Sequence, residues 1–146
     1  MTRFVLRPPQ ATAATAGPKA AVLARALAAG LPVPPFVVVS ADAYRQHIAR
    51  AGVRTADPAA TRAAITGTAL AFDLGMQLTA VLQRLEPPLA VRSSGTAEDL
   101  PGLSFAGQYE TTLGTDAEEL DAAVLACWAS VWGGRAVAYR EHNGVS

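Results

Sequence analysis

The 146-residue chain has little of several residue types that define whole classes of site. It has one cysteine, Cys127, so no disulfide can form within the chain. With only two histidines, His47 and His142, a structural zinc site is nearly excluded. Twelve basic and twelve acidic side chains cancel, which argues against the positive excess that nucleic-acid and polybasic membrane surfaces need.

Long apolar runs are also missing. Although 51% of the residues are hydrophobic, no uninterrupted run approaches the ~20 residues of a membrane-spanning helix. The first nine residues, Met-Thr-Arg-Phe-Val-Leu-Arg-Pro-Pro, contain no signal-peptide core and no cleavage pattern. The chain is therefore predicted to be one cytoplasmic domain, large enough to bury a core, with neither nucleic acid nor membrane as a partner.

Lysine is the scarcest charged residue, because Lys19 stands alone beside eleven arginines. This bias reflects either chance in an alanine- and arginine-rich composition or a need for a compact ammonium at one position. Pro18 suits the first position of a helix, which places Lys19 in the first turn, where the helix dipole disfavours a cation. An anion shared between the ammonium and the N–H groups of that turn would explain the position; the alternative is a solvated surface lysine.

Hydrophobic spacing and helix-start signals predict a mixed α/β fold. The predicted strands cover residues 4–6, 36–39, 89–92 and 108–113. The predicted helix starts are Gly17-Pro18, Ser40, Asp57-Pro58 and a capping box of Asp116 with Glu119. The segment after Pro58 is expected to hold one or two helices, with a break near Gly67 or at residues 73–75. Gly114 is predicted as a turn, His47 as exposed and Cys127 as a buried, inert thiol.

A long polar loop follows the predicted buried strand at residues 89–92. Arg92 ends that strand and leads into Ser93, Ser94, Gly95 and Thr96. A guanidinium fork, hydroxyls and backbone N–H groups are the donors of a phosphate-binding loop, and glycine allows close approach. A solvated loop in which Arg92 pairs with a following acidic residue is the alternative. Arg135, beside a Gly-Gly break, could either reach a ligand or cap a helix end.

Several segments carry a resemblance to a known family. Residues 90–101 read Ala-Val-Arg-Ser-Ser-Gly-Thr-Ala-Glu-Asp-Leu-Pro, and residues 104–111 read Ser-Phe-Ala-Gly-Gln-Tyr-Glu-Thr. They strongly resemble the nucleotide-binding domain of the phosphoenolpyruvate synthase family, which includes pyruvate phosphate dikinase and rifampicin phosphotransferase. Residues 17–23, Gly-Pro-Lys-Ala-Ala-Val-Leu, look like that family's Gly-Gly-Lys-Ala-x-x-Leu, with Pro18 in place of the second glycine.

The resemblance implies that residues 1–146 form the N-terminal lobe of an ATP-grasp-type domain, with a small sheet flanked by helices. It also implies that Lys19 and Arg92 contact the phosphates of ATP from two sides. The other residues expected at the nucleotide are Ser93, Ser94, Gly95, Thr96, Ser104, Gly107, Gln108 and Arg135.

Members of this family carry a second lobe that holds Mg²⁺ and nucleotide, a phosphohistidine domain and an acceptor-binding domain. The resemblance therefore implies no metal ligand and no complete catalytic set within residues 1–146. The leading hypothesis is an ATP-binding phosphotransferase lobe, either part of a larger protein or completed by a partner chain. The alternative is a catalytically inactive, truncated homologue that acts as an interaction or regulatory module, for example through self-association.

Overall fold

The computed structural model describes residues 2–54, 57–94, 111–133 and 142. The strands within these ranges are β1 (Val5–Leu6), β2 (Val38–Val39), β3 (Leu89–Arg92) and β4 (Thr111–Thr115). The α-helices within the same ranges are α1 (Ala13–Ala28), α2 (Ala41–Arg50), α3 (Pro58–Gly67), α4 (Phe72–Val81) and α5 (Leu120–Ser130). Short 3₁₀ turns at Pro8–Gln10 and Ala117–Glu119 precede α1 and α5. The mixed α/β architecture expected from the sequence is confirmed.

The described strands form two separate two-stranded antiparallel sheets rather than one. In the first sheet, β1 pairs with β2 and Val5 lies opposite Val39. A side chain of α4 adds to this pairing, because Gln77 Oε1 accepts from the N–H groups of Phe4 (2.8 Å) and Val5 (3.0 Å). Gln77 Nε2 donates to the carbonyl oxygen of Thr2 at 2.8 Å. One side-chain amide thereby ties the N-terminal segment to α4.

In the second sheet, β3 pairs with β4, and Arg92 lies opposite Thr111. Leu89 and Val91 are half-buried, whereas Ala90 and Arg92 are exposed. The prediction of a strand here is confirmed, but the strand is buried on one face only. The reason is that α5 packs against this sheet and leaves the other face, with Arg92, accessible.

Gly114 lies inside β4, so the turn predicted at this position is wrong. Leu89 faces Thr115, but Val91 faces Thr112, so β4 holds one residue more than β3 over this stretch. Such an extra residue is a β-bulge, and the φ of Gly114, 66°, is the left-handed conformation that a bulge asks of glycine.

The predicted helix starts at α2, α3 and α5 are confirmed. The side chains of Ser40 and Asp57 each accept the N–H of the third residue of the helix that follows. Asp116 and Glu119 form the capping box before α5. The break expected near Gly67 is also present, because α3 ends at that residue and α4 begins five residues later.

Among the residues that the structure describes, buried apolar side chains form two clusters of different character. The larger cluster joins β1 to α2, α4 and α5 through Phe4, Ala43, Leu74, Leu78, Leu120 and Val124. The smaller one places α1 on β2 through Ala11, Ala16, Ala20 and Val38. Because alanine is short, α1 approaches its neighbours closely along this face. Cys127, on α5, is buried as predicted.

His47 is buried, which corrects the expectation of an exposed side chain. It is 2% exposed, its Nε2 lies 2.9 Å from the carbonyl oxygen of Ile65, and its ring centre is 5.2 Å from that of Trp128. It lies one turn after the buried Ala43, so both residues share the inner face of α2. The burial of His47 cannot be inferred from its polar sequence neighbours, because α3 and α5 supply the surfaces that cover its side chain.

Of the helices in the described part of the chain, none is both long and apolar enough to cross a membrane alone. Only α3 and α4 taken together meet the length and composition criteria, and they are bent by 72° at the break between them.

Replacing Gln77 by alanine should lower the free energy of unfolding by about 2 kcal/mol, because two part-buried amide donors lose their acceptor. Urea denaturation measures this change. Gln83→Ala is the matched control: its side chain is exposed just beyond the end of α4, so its effect should stay within about 0.5 kcal/mol. Equal stability of the two variants would contradict the role assigned to Gln77.

Candidate functional site

The helix that carries Lys19 is broken immediately before the residue pair Pro18-Lys19. Gly17 has φ 81° and ψ 164°, which is not helical, so the longer part of α1 begins at Pro18. The sequence prediction of a helix start here is therefore confirmed for that part. A further turn at residues 13–16 precedes it, with Thr12 as its cap. Lys19 is the second residue of the longer part and is half-buried.

This helix start lies against the residues that follow β3. The N–H of Ala20 donates to Ser94 Oγ at 2.9 Å, between residues 74 apart in sequence. A Cβ atom added to Gly17 would stand 1.6 Å from the carbonyl oxygen of Ser94. The segment carrying Lys19 and the segment carrying Arg92 are thus in direct contact.

Gly17 and Ser94 together perform one capping function. Gly17 occupies the position before the first helical residue, where Ser, Thr, Asp or Asn usually supplies an oxygen to the third helical N–H. Any such side chain is excluded here by the carbonyl of Ser94. Ser94 Oγ accepts the N–H of Ala20, the third residue of the helical part, and so supplies the missing cap from a distant segment.

This arrangement limits the backbone donors of the helix start. Pro18 has no N–H, and the N–H of Ala20 is donated to Ser94. Two of the backbone donors of this turn are therefore not available to a ligand. An anion shared with the first turn, one of the two explanations offered for Lys19, stays a prediction.

Arg92 is the last residue of β3 and is exposed on the face of the sheet opposite α5. Ser93 and Ser94, which follow it, are half-buried. Four of the residues expected at the nucleotide are described, and they lie on two segments that the hydrogen bond from Ala20 to Ser94 joins. They are Lys19 on one segment and Arg92, Ser93 and Ser94 on the other. The other expected residues lie outside the described ranges, and they are Gly95, Thr96, Ser104, Gly107, Gln108 and Arg135.

The described residues contain no cluster of three metal-ligand side chains. Within ranges 2–54, 57–94 and 111–133, with residue 142, no three His, Cys, Asp or Glu side chains are grouped so that they could hold a metal ion. The groups at the helix start and strand end are an ammonium, a guanidinium and two hydroxyls, which suit phosphate oxygens rather than a cation.

Sequence reasoning missed that Ser94 caps α1. The cap and its helix are 74 residues apart, so no local spacing connects them. The available signal was Gly17 itself, because a glycine before Pro18 stands where a capping side chain is normally found. Such a glycine indicates that another part of the chain approaches the backbone.

The helix start and the strand end both lie within a segment that matches a known family. Residues 13–146 match the family described as pyruvate phosphate dikinase, AMP/ATP-binding domain. The chain belongs to this family, which confirms the resemblance carried by residues 17–23 and 90–111.

Relatives with similar sequences are considerably longer proteins. The phosphoenolpyruvate synthase of Aeropyrum pernix is 36% identical over 158 residues, covering 86% of this chain and 18% of that protein. The prodigiosin synthesizing transferase PigC of Serratia marcescens is 39% identical, covering 84% of this chain and 15% of that protein. The rifampicin phosphotransferase of Streptomyces sviceus is 36% identical, with coverage of 80% and 16%. The chain thus spans less than a fifth of the length of these relatives.

Replacing Gly17 by alanine should lower the free energy of unfolding by about 2–4 kcal/mol, because the new Cβ combines a positive φ with a collision. Gly30→Ala is the matched control, since Gly30 has nearly the same φ, 82°, and nothing within 4 Å of the added Cβ. That variant should lose only about 1 kcal/mol. Urea denaturation of both proteins separates the two effects, and equal losses would show that the contact with Ser94 is unimportant.

Proposed function

We propose that this chain binds ATP through its phosphates where the start of the long part of α1 meets the end of β3. The observation that carries the proposal is the 2.9 Å hydrogen bond from Ala20 N–H to Ser94 Oγ. It holds the residue next to Lys19 against a residue two positions beyond Arg92. The family's description as an AMP/ATP-binding domain supports the choice of ligand.

In this proposal the two cations have different tasks. The Lys19 ammonium is a compact charge that neutralises phosphate oxygens at the helix start. The Arg92 guanidinium approaches from the sheet and offers a planar fork that two phosphate oxygens can accept together. The remaining residues assigned to the phosphate end are Ser93, Ser94, Gly95, Thr96, Ser104, Gly107, Gln108 and Arg135.

We further propose that the bound ATP serves phosphoryl transfer, which the printed names of two relatives, a synthase of phosphoenolpyruvate and a rifampicin phosphotransferase, support. Transfer requires metal ions and an acceptor besides the groups that hold the phosphates. In our proposal, Mg²⁺ ligands and an acceptor histidine come from a second ATP-grasp lobe and a phosphohistidine domain, in further polypeptide or a partner chain. The role of residues 1–146 is then to bind ATP and to orient its phosphates.

Exposed apolar side chains on α1 support a second candidate function, a protein-interaction module. Val22, Leu23 and Leu27 are 53%, 38% and 37% exposed, and Leu31, just after the helix, is 57% exposed. An interaction module that had lost nucleotide chemistry would have no need of Lys19 and Arg92. Dependence of ATP binding on these two cations therefore discriminates between the functions.

Calorimetric titration with Mg-ATP tests the first proposal. The unsubstituted chain should bind saturably, and Lys19→Ala and Arg92→Ala should each weaken binding about tenfold or more, because each removes a charge-assisted hydrogen bond to phosphate. The matched controls are Arg25→Ala, exposed farther along α1, and Arg84→Ala, exposed between α4 and β3. Both should bind ATP within about twofold of the unsubstituted chain.

Two outcomes would contradict this function. One is the absence of saturable binding up to millimolar Mg-ATP, and the other is binding that neither the Lys19 nor the Arg92 substitution weakens. In either case, a molecular mass well above 15.1 kDa in gel filtration would favour the interaction module through self-association.

A further inference from the structure

We propose that Ser94 is a positioning residue of the ATP site, which raises ATP affinity by fixing Lys19 rather than by binding phosphate itself. This inference rests on the proposed function. It concerns a residue that the sequence pattern places among the phosphate ligands, and it assigns that residue a different task.

Ser94 approaches the helix start through two of its oxygen atoms. Its Oγ accepts the N–H of Ala20 at 2.9 Å, and its carbonyl oxygen lies where a Cβ of Gly17 would be. Ser94 therefore touches the helix start on both sides of Lys19, at the positions two residues before it and one residue after it. A contact on each side restrains the backbone that directs the lysine side chain.

The helical part of α1 that begins at Pro18 depends on Ser94 for its N-terminal cap. Because Gly17 has no side chain, the helical part of α1 has no cap of its own at this end, and Ser94 supplies the oxygen. Loss of a capping oxygen lets the first helical turn fray. The turn that would fray contains Lys19, so removing the hydroxyl of Ser94 should loosen the ammonium relative to Arg92.

Ser94 also links the start of α1 to the sheet of β3 and β4. Ser94 follows Arg92 by two residues, so the same side chain that caps α1 also fixes the distance between the two cation-bearing segments. A triphosphate chain held between two cations depends on that separation, since the attraction falls with distance and preorganised groups bind with less loss of entropy. A monophosphate carries less charge and depends on it less.

The experiment is a double-substitution cycle read by calorimetric titration with Mg-ATP and, separately, with AMP. Ser94→Ala should weaken ATP binding about fivefold and AMP binding by less than about twofold. In a chain that already carries Lys19→Ala, adding Ser94→Ala should change ATP affinity by less than about twofold, because the residue through which Ser94 acts has been removed.

The matched control is Ser40→Ala. Ser40 caps α2 in the same way, because its Oγ accepts the N–H of Ala43 at 3.2 Å. It follows β2 and does not belong to the helix start of α1. The control should lose stability in urea to a similar extent but keep ATP affinity and the ratio of ATP to AMP affinity. The ratio is a readout that a merely structural loss would not move.

Each outcome decides a point. If the Ser94 and Lys19 substitutions multiply in the double variant, Ser94 binds phosphate directly and the inference is wrong. If Ser94→Ala binds ATP like Ser40→Ala while Lys19→Ala binds weakly, the inference fails and the proposed function stands. If Lys19→Ala and Arg92→Ala both bind ATP like the unsubstituted chain, the proposed function fails and the inference fails with it.

Discussion

The contact between the backbone of Gly17 and the carbonyl of Ser94 is the constraint on which the arrangement of α1 and β3 depends. A Cβ at Gly17 would stand 1.6 Å from that oxygen, so no side chain can be present. Without one, the helix start cannot cap itself, and Ser94 provides the oxygen from 74 residues away. The absence of a side chain at Gly17 thus permits the close approach and also makes the cap from Ser94 necessary. Both contacts hold the start of the long part of α1 against the residue that lies two positions beyond β3.

The small residues of α1 serve the same close approach along its length. Ala16 and Ala20 are buried against Ala11 and Val38, where larger side chains would push the helix outward. Each alanine buries little apolar area, so this cluster contributes less to stability per residue than the larger cluster around Phe4. The Ser94 hydrogen bond adds a directed contact to this thin apolar packing of α1.

Local features of the fold could be predicted from the sequence, and features set by distant contacts could not. The caps at Ser40 and Asp57 and the capping box at Asp116 follow from residues within one turn, and all three are present. The turn predicted at Gly114 is wrong because a bulge depends on the partner strand. The exposure predicted for His47 is wrong because its burial depends on other helices. Strand Leu89–Arg92 was placed correctly, but its exposed face depends on α5 covering only one side.

For the candidate site, too, local features could be predicted from the sequence and distant contacts could not. Lys19 could be singled out as a candidate because it is the sole lysine and occupies a helix start, where a cation costs about 0.3–1 kcal/mol in the helix dipole. Its relation to Arg92 required the structure. Pro18 lacks an N–H and that of Ala20 is donated to Ser94, so neither residue offers a backbone donor to a ligand. In the proposed function, the ammonium of Lys19 would supply charge to a polyphosphate where these two residues supply no N–H. That role would give a physical reason for a cation at a position that the dipole alone disfavours.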